Sequence, residues 1–304
     1  MAELALFADA LVRATPLILA GLAVALALKG GVFNIGAEGQ LLVGAAASAA
    51  ITLAWSGLLG SFVMIPAAFA GAAAGALWAG IAAELKRRFH VLEIISTIML
   101  NFIALHFVSY LVRGPLQEST RIYPQTESIQ EAARLPILLP GTRLHLGFVV
   151  AVIIACLLSW FFHRTASGFR VRAIGASPGA AQSAGRIPVE RTAFVVFLVS
   201  GALAGLAGSI EVSGVTFALY ENLSPGYGYT AIAVALIAGL RPLGVIGSGI
   251  CFGILETGAI ALQRELAIPS SLASVAEAAL ILAVLSFAAY RGRTVFGFAR
   301  SAST

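Results

Sequence analysis

Long apolar runs separated by short polar breaks fill almost the whole chain. Interpreting these runs as helices gives nine candidate spans, at about 14–29, 39–56, 61–84, 93–113, 145–163, 192–210, 229–240, 242–262 and 270–290. The runs mix Ala, Leu, Ile, Val and Gly, without the polar alternation of membrane β-strands. The pattern therefore predicts an all-α polytopic membrane protein, organised as a single transmembrane domain over residues 1–304.

Two of the predicted spans, the first and the seventh, are short for a bilayer core of about 30 Å, which needs about 20 helical residues. Both lie next to turns that contain glycine or proline. We therefore expect short or broken helices within the bundle. The first residues, which include Asp9 and Arg13, are expected to form an amphipathic helix at the membrane surface.

Composition agrees with a membrane protein. Hydrophobic residues make up 59% of the 304 residues and charged residues only 11%, and the mean hydropathy is +0.95. Water-soluble domains of this length do not sustain such values. Cys156 and Cys251 both fall inside apolar runs, so we expect them to be buried rather than joined in a disulfide.

Positive charge concentrates on one side of the predicted bundle. Lysines and arginines cluster at 86–88, in the loop at about 164–191 and in the tail at 291–300, and alternation of the spans puts these segments on the same side. The bias places the C-terminus in the cytoplasm and the N-terminus outside, with a long outer loop at about 114–145. It also explains the net charge of +5 without a nucleic-acid partner.

The inner loop contains a short helix with both ends marked in the sequence. Ser177 is a good N-cap, Pro178 a good first helical residue and Gly185 a good terminator. So short a helix is unstable alone in water, and we expect it to lie on another surface. That surface is either a partner protein or the chain's own bundle. The residues assigned to this docking surface are Arg170, Arg172, Gly175, Ser177, Pro178, Ala181, Gly185 and Arg186.

Polar residues at membrane depth cost about 2.5 to 3.5 kcal/mol when ionisable, so they usually face a cavity or a partner. Asn34, Glu38 and Gln40 form the first such cluster, in the glycine-rich stretch "FNIGAEGQ". This setting predicts a discontinuous helix that lines the pathway of a transported solute. In the alternative, Glu38 binds freed backbone amides or pairs with Lys29 and only braces a bend.

Four further residues complete the set of pathway candidates. Asn101 lies in the middle of a span and binds either a ligand or a neighbouring helix. Tyr227 and Tyr229 either offer stacking faces to a nucleobase or anchor the membrane interface. Glu256, like Glu277 in the last span, needs a hydrogen-bond partner or access to water.

The sequence predicts neither an enzyme nor a metal site. The four histidines show no ligand spacing, and no G-x-x-x-x-G-K-[ST] phosphate loop is present. The residues alone leave open an ion-coupled secondary transporter in which Glu38, Glu256 or Glu277 carries the ion. Such a transporter has no need of a helix built to dock on a partner.

Five stretches resemble the membrane permeases of bacterial ABC importers. They are "GGVFNIGAEGQLLVGA" (30–45), "LEIISTIMLNFIA" (92–104), "GFRVRAIGASPGAAQSAG" (168–185), which Arg186 and Ile187 follow, "SGALAGLAGSIEVSG" (200–214) and "GYGYTAIAVALIAGLRPLG" (226–244). The chain resembles the ribose and branched-chain amino-acid type permeases over about residues 14–290. Within that group it is most similar to nucleoside importers that work with basic-membrane-protein lipoproteins, because sugar-type relatives carry Asp-Leu-Ser where this chain has "FNIGAEGQ".

The resemblance implies a plasma-membrane transport subunit that binds no cofactor itself. Cytoplasmic ATP-binding subunits would use the ATP and receive the 177–185 helix as a coupling helix. The further implied partners are a second permease subunit, either a copy or a paralogue, and an extracytoplasmic substrate-binding lipoprotein. The implied substrate is a small polar solute, a nucleoside before a simple sugar.

Overall fold

The structure is a computed structural model that describes residues 2–183, 187–266 and a few single positions between 275 and 283. Its helices are α1 (Ala2–Lys29), α2 (Ala37–Leu59), α3 (Met64–Phe89), α4 (Glu93–Arg113), α5 (Gly147–Arg164), α6 (Ala166–Ala176), α7 (Pro178–Ser183), α8 (Val189–Glu211), α9 (Tyr227–Ile237) and α10 (Pro242–Leu266). Short 3₁₀ turns lie at Gly60–Val63 and Glu131–Ala133, and a π-helical turn at Val212–Thr216. These ranges contain two isolated bridges and no strand, which confirms the all-α prediction.

Six helical stretches of the described chain are long and apolar enough to cross a membrane. One of them, Ala37–Phe89, has 53 residues and would extend about 80 Å as a straight helix. The turn at Gly60–Val63 divides it into α2 and α3, which pack against each other. Helix α9 is apolar but only 11 residues long, as predicted for the seventh span. The predicted span at 270–290 lies outside the described ranges, apart from single positions.

The first span differs from the prediction. Helix α1 runs without a break from Ala2 to Lys29, with Pro16 inside it, so no separate surface helix precedes the span. Among the six candidate spans of the described residues it is the most enclosed: 89% of its most apolar window is buried, compared with 22% for α5. Neighbouring helices therefore surround Pro16, an environment in which a proline is tolerated within a membrane helix. Asp9 and Arg13 belong to this helix and reach the interior of the outer end.

Glycines let α2, α3 and α8 approach one another closely. Gly71 and Gly75 lie four residues apart on α3, and Gly201 and Gly205 have the same spacing on α8. A Cβ atom at Gly75 or Gly205 would overlap the backbone of the facing helix, and one at Gly44 on α2 would overlap Gly205. Small residues at this spacing are typical of tightly packed membrane helices. The three helices form one closely packed layer, and α1 packs against α8 while α10 and α5 pack against α1.

The outer loop covers the end of the bundle. Within residues 114–146, the Thr126 amide donates to the Leu219 carbonyl over 2.8 Å, and the Ile129 amide donates to the Phe217 carbonyl over 2.7 Å. Ile129 is buried. The loop is therefore a cap held by backbone hydrogen bonds to the segment that follows α8.

An ion pair at the outer end joins α4 to the segment between α8 and α9. The Arg113 guanidinium donates to both carboxylate oxygens of Glu221, over 2.6 and 2.7 Å, and the Ser109 hydroxyl also donates to this carboxylate. The hydrogen bonds from Arg113, followed by that from Ser109, lower the pKa of Glu221 to about 2. Glu221 is therefore ionised at every physiological pH.

The two cysteines are not buried as expected. Cys156 on α5 and Cys251 on α10 are both exposed at the surface of the bundle. The expectation failed because an apolar run in a membrane helix has an outward face as well as a packed one. Each cysteine lies on the outward face.

Candidate translocation site and docking surface

The glycine-rich segment between α1 and α2 is a break held by buried amides. Residues 30–36 are not α-helical. The Asn34 side-chain amide donates to Gln40 Oε1 over 2.9 Å and to Ser200 Oγ over 2.8 Å. Its oxygen accepts from Gln40 Nε2 over 2.8 Å and from the Gly36 amide over 3.0 Å. Asn34 thus ties the break to the start of α2 and to α8.

Asn101 shows that α2 begins inside the bundle rather than at its surface. It lies eight residues into α4, about 12 Å from the start of that helix. Its oxygen accepts from the Gly39 amide over 2.9 Å, and its nitrogen donates to the Ile35 carbonyl over 3.0 Å. The first turn of α2 is therefore at membrane depth, where broken backbone has to be satisfied by protein.

Glu38 joins the start of α2 to the start of α9. Its Oε2 accepts from the Gly228 amide over 2.7 Å, and the Ser224 side chain also hydrogen-bonds to the carboxyl group. The N-terminus of a helix favours such a carboxylate. Lys29 does not pair with Glu38, because its ammonium donates to the Leu240 carbonyl over 3.3 Å. Two helix N-termini thus meet in the middle of the bundle.

Tyr229 connects this buried network with the surface. Its hydroxyl accepts from Asn101 Nδ2 over 3.2 Å, and 46% of its surface is exposed. Asn34, Glu38 and Gln40 are buried, as is Asn101. The structure thus brings five of the pathway candidates into one polar network, of which Tyr229 is the exposed member.

The other two pathway candidates, Tyr227 and Glu256, lie in a different part of the bundle. Tyr227 is buried and lines a cavity of about 330 Å³ near the outer end, called here the outer cavity. Glu256, on α10, lies within electrostatic range of Tyr227 and of Glu211. Glu277 is outside the described residues. The residues that line the outer cavity are Leu6, Asp9, Val12, Arg13, Arg143, Glu211, Val215, Tyr227, Thr257, Ile260 and Ala261.

Two buried carboxylates were not identified from the sequence. Glu93 accepts from the Phe33 amide over 2.6 Å and pairs with Lys86, so it holds the inner end of the break. Glu211 lines the outer cavity with 3% of its surface exposed. Both lie at the edge of an apolar run, where a carboxylate is easily interpreted as part of a loop. Across the described ranges, no three His, Cys, Asp or Glu side chains group as metal ligands.

Helix α7 begins as the sequence predicts, at Pro178, with Ser177 Oγ accepting from the Ala180 amide over 3.3 Å. The structure adds an unpredicted helix, α6, before it. Ser177 and Pro178 are exposed, as are Arg170 and Arg172 on α6. Gly185 and Arg186 lie outside the described residues.

Two of the predicted docking residues face the chain itself. Ala181 is buried, with 5% of its surface exposed. A Cβ atom at Gly175 would overlap the Lys29 carbonyl, and one at Gly31 would lie 3.1 Å from the Gly175 Cα atom. At these two residues the structure shows the alternative that the sequence left open, contact with the chain's own bundle, because so short a helix has to be anchored on one side. Gly175 packs directly on the end of α1 and the start of the break.

Comparison with known proteins identifies the family. The family described as branched-chain amino acid transport system / permease component matches residues 6–300. The guanosine ABC transporter permease protein NupP of Bacillus subtilis is 40% identical, over 91% of this chain and 80% of its own length. The glucose ABC transporter permease protein TsgB13 of Haloferax volcanii is 39% identical, over 91% of this chain and 75% of its own.

A third relative, the nucleoside ABC transporter permease protein NupB of Lactococcus lactis, is 32% identical over 88% of this chain and 75% of its own length. No solved structure gives a significant match. The family match covers almost the whole chain, and the structure has the apolar helices that a multi-pass membrane protein needs. The chain therefore belongs to this family of ABC transporter permeases.

Proposed function

We propose that this chain is the permease subunit of an ATP-driven importer that carries a neutral nucleoside, or else a simple sugar, across the plasma membrane. The observation that carries the proposal is the break between α1 and α2, which places amide and hydroxyl groups at membrane depth and joins them to an exposed tyrosine. Relatives named for guanosine, nucleoside and glucose transport support this class of solute. Neither the family nor these names support an ion-coupled transporter.

Within the network, Tyr229 is the residue that contacts the solute, with Asn101 behind it. The phenol ring supplies a stacking face for a nucleobase or a sugar ring, and its hydroxyl, already bonded to Asn101, supplies a polar contact. Asn34, Glu38 and Gln40 are buried and use their polar atoms on the chain itself. Their role is to fix the backbone of the break, to which Asn101 of α4 is hydrogen-bonded and through Asn101 also Tyr229 of α9.

The end of the bundle that carries α6 and α7 faces the cytoplasm in this proposal. Lys29 has Arg172 and Arg241 within electrostatic range, and Lys86 lies at the same end beside Glu93. A basic cytoplasmic end follows the positive-inside rule. The proposal keeps nine spans, an outer N-terminus and a cytoplasmic C-terminus, together with a second permease subunit and an extracytoplasmic binding lipoprotein as partners.

The ATP-binding subunit docks on the exposed face of α7, which includes Ser177, Pro178 and Ala180. Ala181 anchors the helix from the other side. A shift of α7 reaches α6, and Gly175 transmits it to Lys29 and Gly31 by direct backbone packing. Small displacements of packed elements are a common means of switching a transporter between two states.

Copurification of the ATP-binding subunits tests the docking surface. Ala180→Trp, on the exposed face, is expected to lower copurification about tenfold while the chain still inserts in the membrane. The buried Ala181→Trp is expected to lower the thermal stability of the chain as well, because overpacking costs about 1–3 kcal/mol. Ala132→Trp, exposed at the outer end, is the matched control. Equal copurification of wild type and Ala180→Trp would exclude docking on α7.

A further inference from the structure

The outer cavity is a separate polar space within this subunit. Four helices contribute to its wall, with Arg13 from α1, Glu211 from α8, Tyr227 from α9 and Thr257 from α10. Its volume of about 330 Å³ falls at the lower end of the range of small-molecule sites, about 300 to 1,000 Å³. It is distinct from the polar network in the middle of the bundle, called here the mid-bundle network, because none of that network's five residues lines the cavity. Those residues are Asn34, Glu38, Gln40, Asn101 and Tyr229.

Glu211 is a buried carboxyl group whose hydrogen bonding is incomplete. Its Oε2 atom has no hydrogen-bond partner among the residues that the structure describes. Burying an unsatisfied acceptor costs about 1–3 kcal/mol, and more if it is charged. The geometry therefore favours a hydrogen-bond donor in the cavity next to Glu211.

The charges around Glu211 restrict what that donor can be. Arg13 and Arg143 line the same cavity, and they oppose the binding of a free cation. Asp9 and Glu211 oppose the binding of an anion, and Glu256 lies within electrostatic range of Glu211. A neutral molecule that has both donors and acceptors can hydrogen-bond to the arginines and to the carboxyl groups of the wall. Vicinal hydroxyls on a sugar ring, for example, donate to a carboxylate while their oxygens accept from a guanidinium.

We propose that the outer cavity is a binding site for the neutral, hydroxyl-bearing solute within this subunit, reached before the mid-bundle network. Glu211 accepts hydrogen bonds from the solute, Arg13 and Arg143 donate to it, and Tyr227 and Thr257 complete the wall. The proposal rests on the proposed function for the class of solute. The existence of the site is tested without transport.

Protection of a cysteine from labelling tests the site directly. Thr257→Cys is introduced with Cys156→Ser and Cys251→Ser, since both native cysteines are exposed, and the whole transporter without its binding lipoprotein is placed in vesicles. A small water-soluble maleimide is then applied with guanosine, glucose, sodium chloride or phosphate. Guanosine or glucose is expected to slow labelling at least threefold, while the two salts have no effect at matched ionic strength.

A second substitution connects the protection with Glu211. Glu211→Gln is expected to raise the solute concentration needed for half-protection about tenfold or more, because a carboxyl oxygen that accepts from the solute is replaced by an amide nitrogen that can only donate. Glu131→Gln, in the exposed turn of the outer loop, is expected to leave it unchanged. The proposal is overturned if Thr257→Cys is not labelled, if no solute protects it, if only a salt protects it, or if Glu211→Gln is protected like wild type.

Failure of the proposed function gives a different result. ATP-dependent uptake of guanosine and glucose is measured on matched vesicles that carry Cys156→Ser and Cys251→Ser but keep the native Thr257 and Glu211, supplied with the lipoprotein. Protection without any ATP-dependent uptake would support the binding site and exclude the proposed importer function. ATP-dependent uptake without protection would support the importer function and exclude the binding site in the outer cavity.

Discussion

The side-chain amides of Asn34 and Asn101 are buried, and their hydrogen bonds are all made to other groups of the chain. Asn34 donates twice and accepts twice, and Asn101 donates to Ile35 and Tyr229 while accepting from Gly39. A side chain whose donors and acceptors are already occupied has few free hydrogen-bonding positions for a solute. At this scale the polar cluster holds the break in place, and Tyr229 is its exposed member, to which the proposed function assigns contact with the solute.

A pair of substitutions distinguishes a residue that stabilises the break from one that contacts the solute. Asn34→Ala leaves both polar atoms of the Gln40 side chain without a partner, while Ser200 keeps its hydrogen bond to the Ala23 carbonyl. Each unsatisfied group costs about 1–3 kcal/mol, so thermal unfolding in detergent should shift to lower temperature. Tyr229→Phe should leave the unfolding temperature within about a degree but lower the rate of solute uptake. If Asn34→Ala unfolds like wild type and yet fails to transport, Asn34 contacts the solute and the assignment of roles is wrong.

The sequence predicts the break but not its partners. Glycines around polar residues at 30–40 are a local pattern, and local patterns are visible along the chain. Ser200 and Glu93 bind the break from positions far away in the sequence, where they look like an ordinary serine in an apolar run and an ordinary acid at a helix start. Without knowledge of which helices are neighbours, no spacing rule identifies them.

At the scale of elements, two helices that begin inside the bundle define the architecture. The first turns of α2 and α9 meet at Glu38 and Gly228. The short α9 was predictable, because Gly226 and Pro242 border its apolar run. The full length of α1 was not, because Asp9 and Arg13 look too polar for a buried helix end. Their place in the outer cavity depends on residues of α8, α9 and α10.

Gly228→Ala tests the junction of α2 and α9. A Cβ atom there would overlap the Glu38 backbone, so the two helix starts would have to separate. We expect a loss of about 1–3 kcal/mol in stability, measured by thermal unfolding, together with reduced uptake. Gly258→Ala on α10 is the control, since a Cβ atom there meets nothing within 4 Å. Equal effects of the two substitutions would contradict the close junction.

At the scale of the whole molecule, the two ends of the bundle have different tasks. One end carries a capping loop and a cavity of mixed charge, and the other end carries α7 with a group of basic residues that includes Lys29 and Arg172. Gly175 links the α7 end to the break. In the proposed function, a movement of α7 therefore has a short mechanical route to the break between α1 and α2.

Uptake by the reconstituted transporter tests the central claim most directly. Proteoliposomes that contain this chain, its companion permease and the ATP-binding subunits are supplied with the binding lipoprotein outside and ATP inside, and the accumulation of radiolabelled guanosine is followed. We predict uptake that requires ATP and persists when ionophores collapse all ion gradients. Uptake by this chain alone, driven by a sodium or proton gradient and indifferent to ATP, would contradict the account.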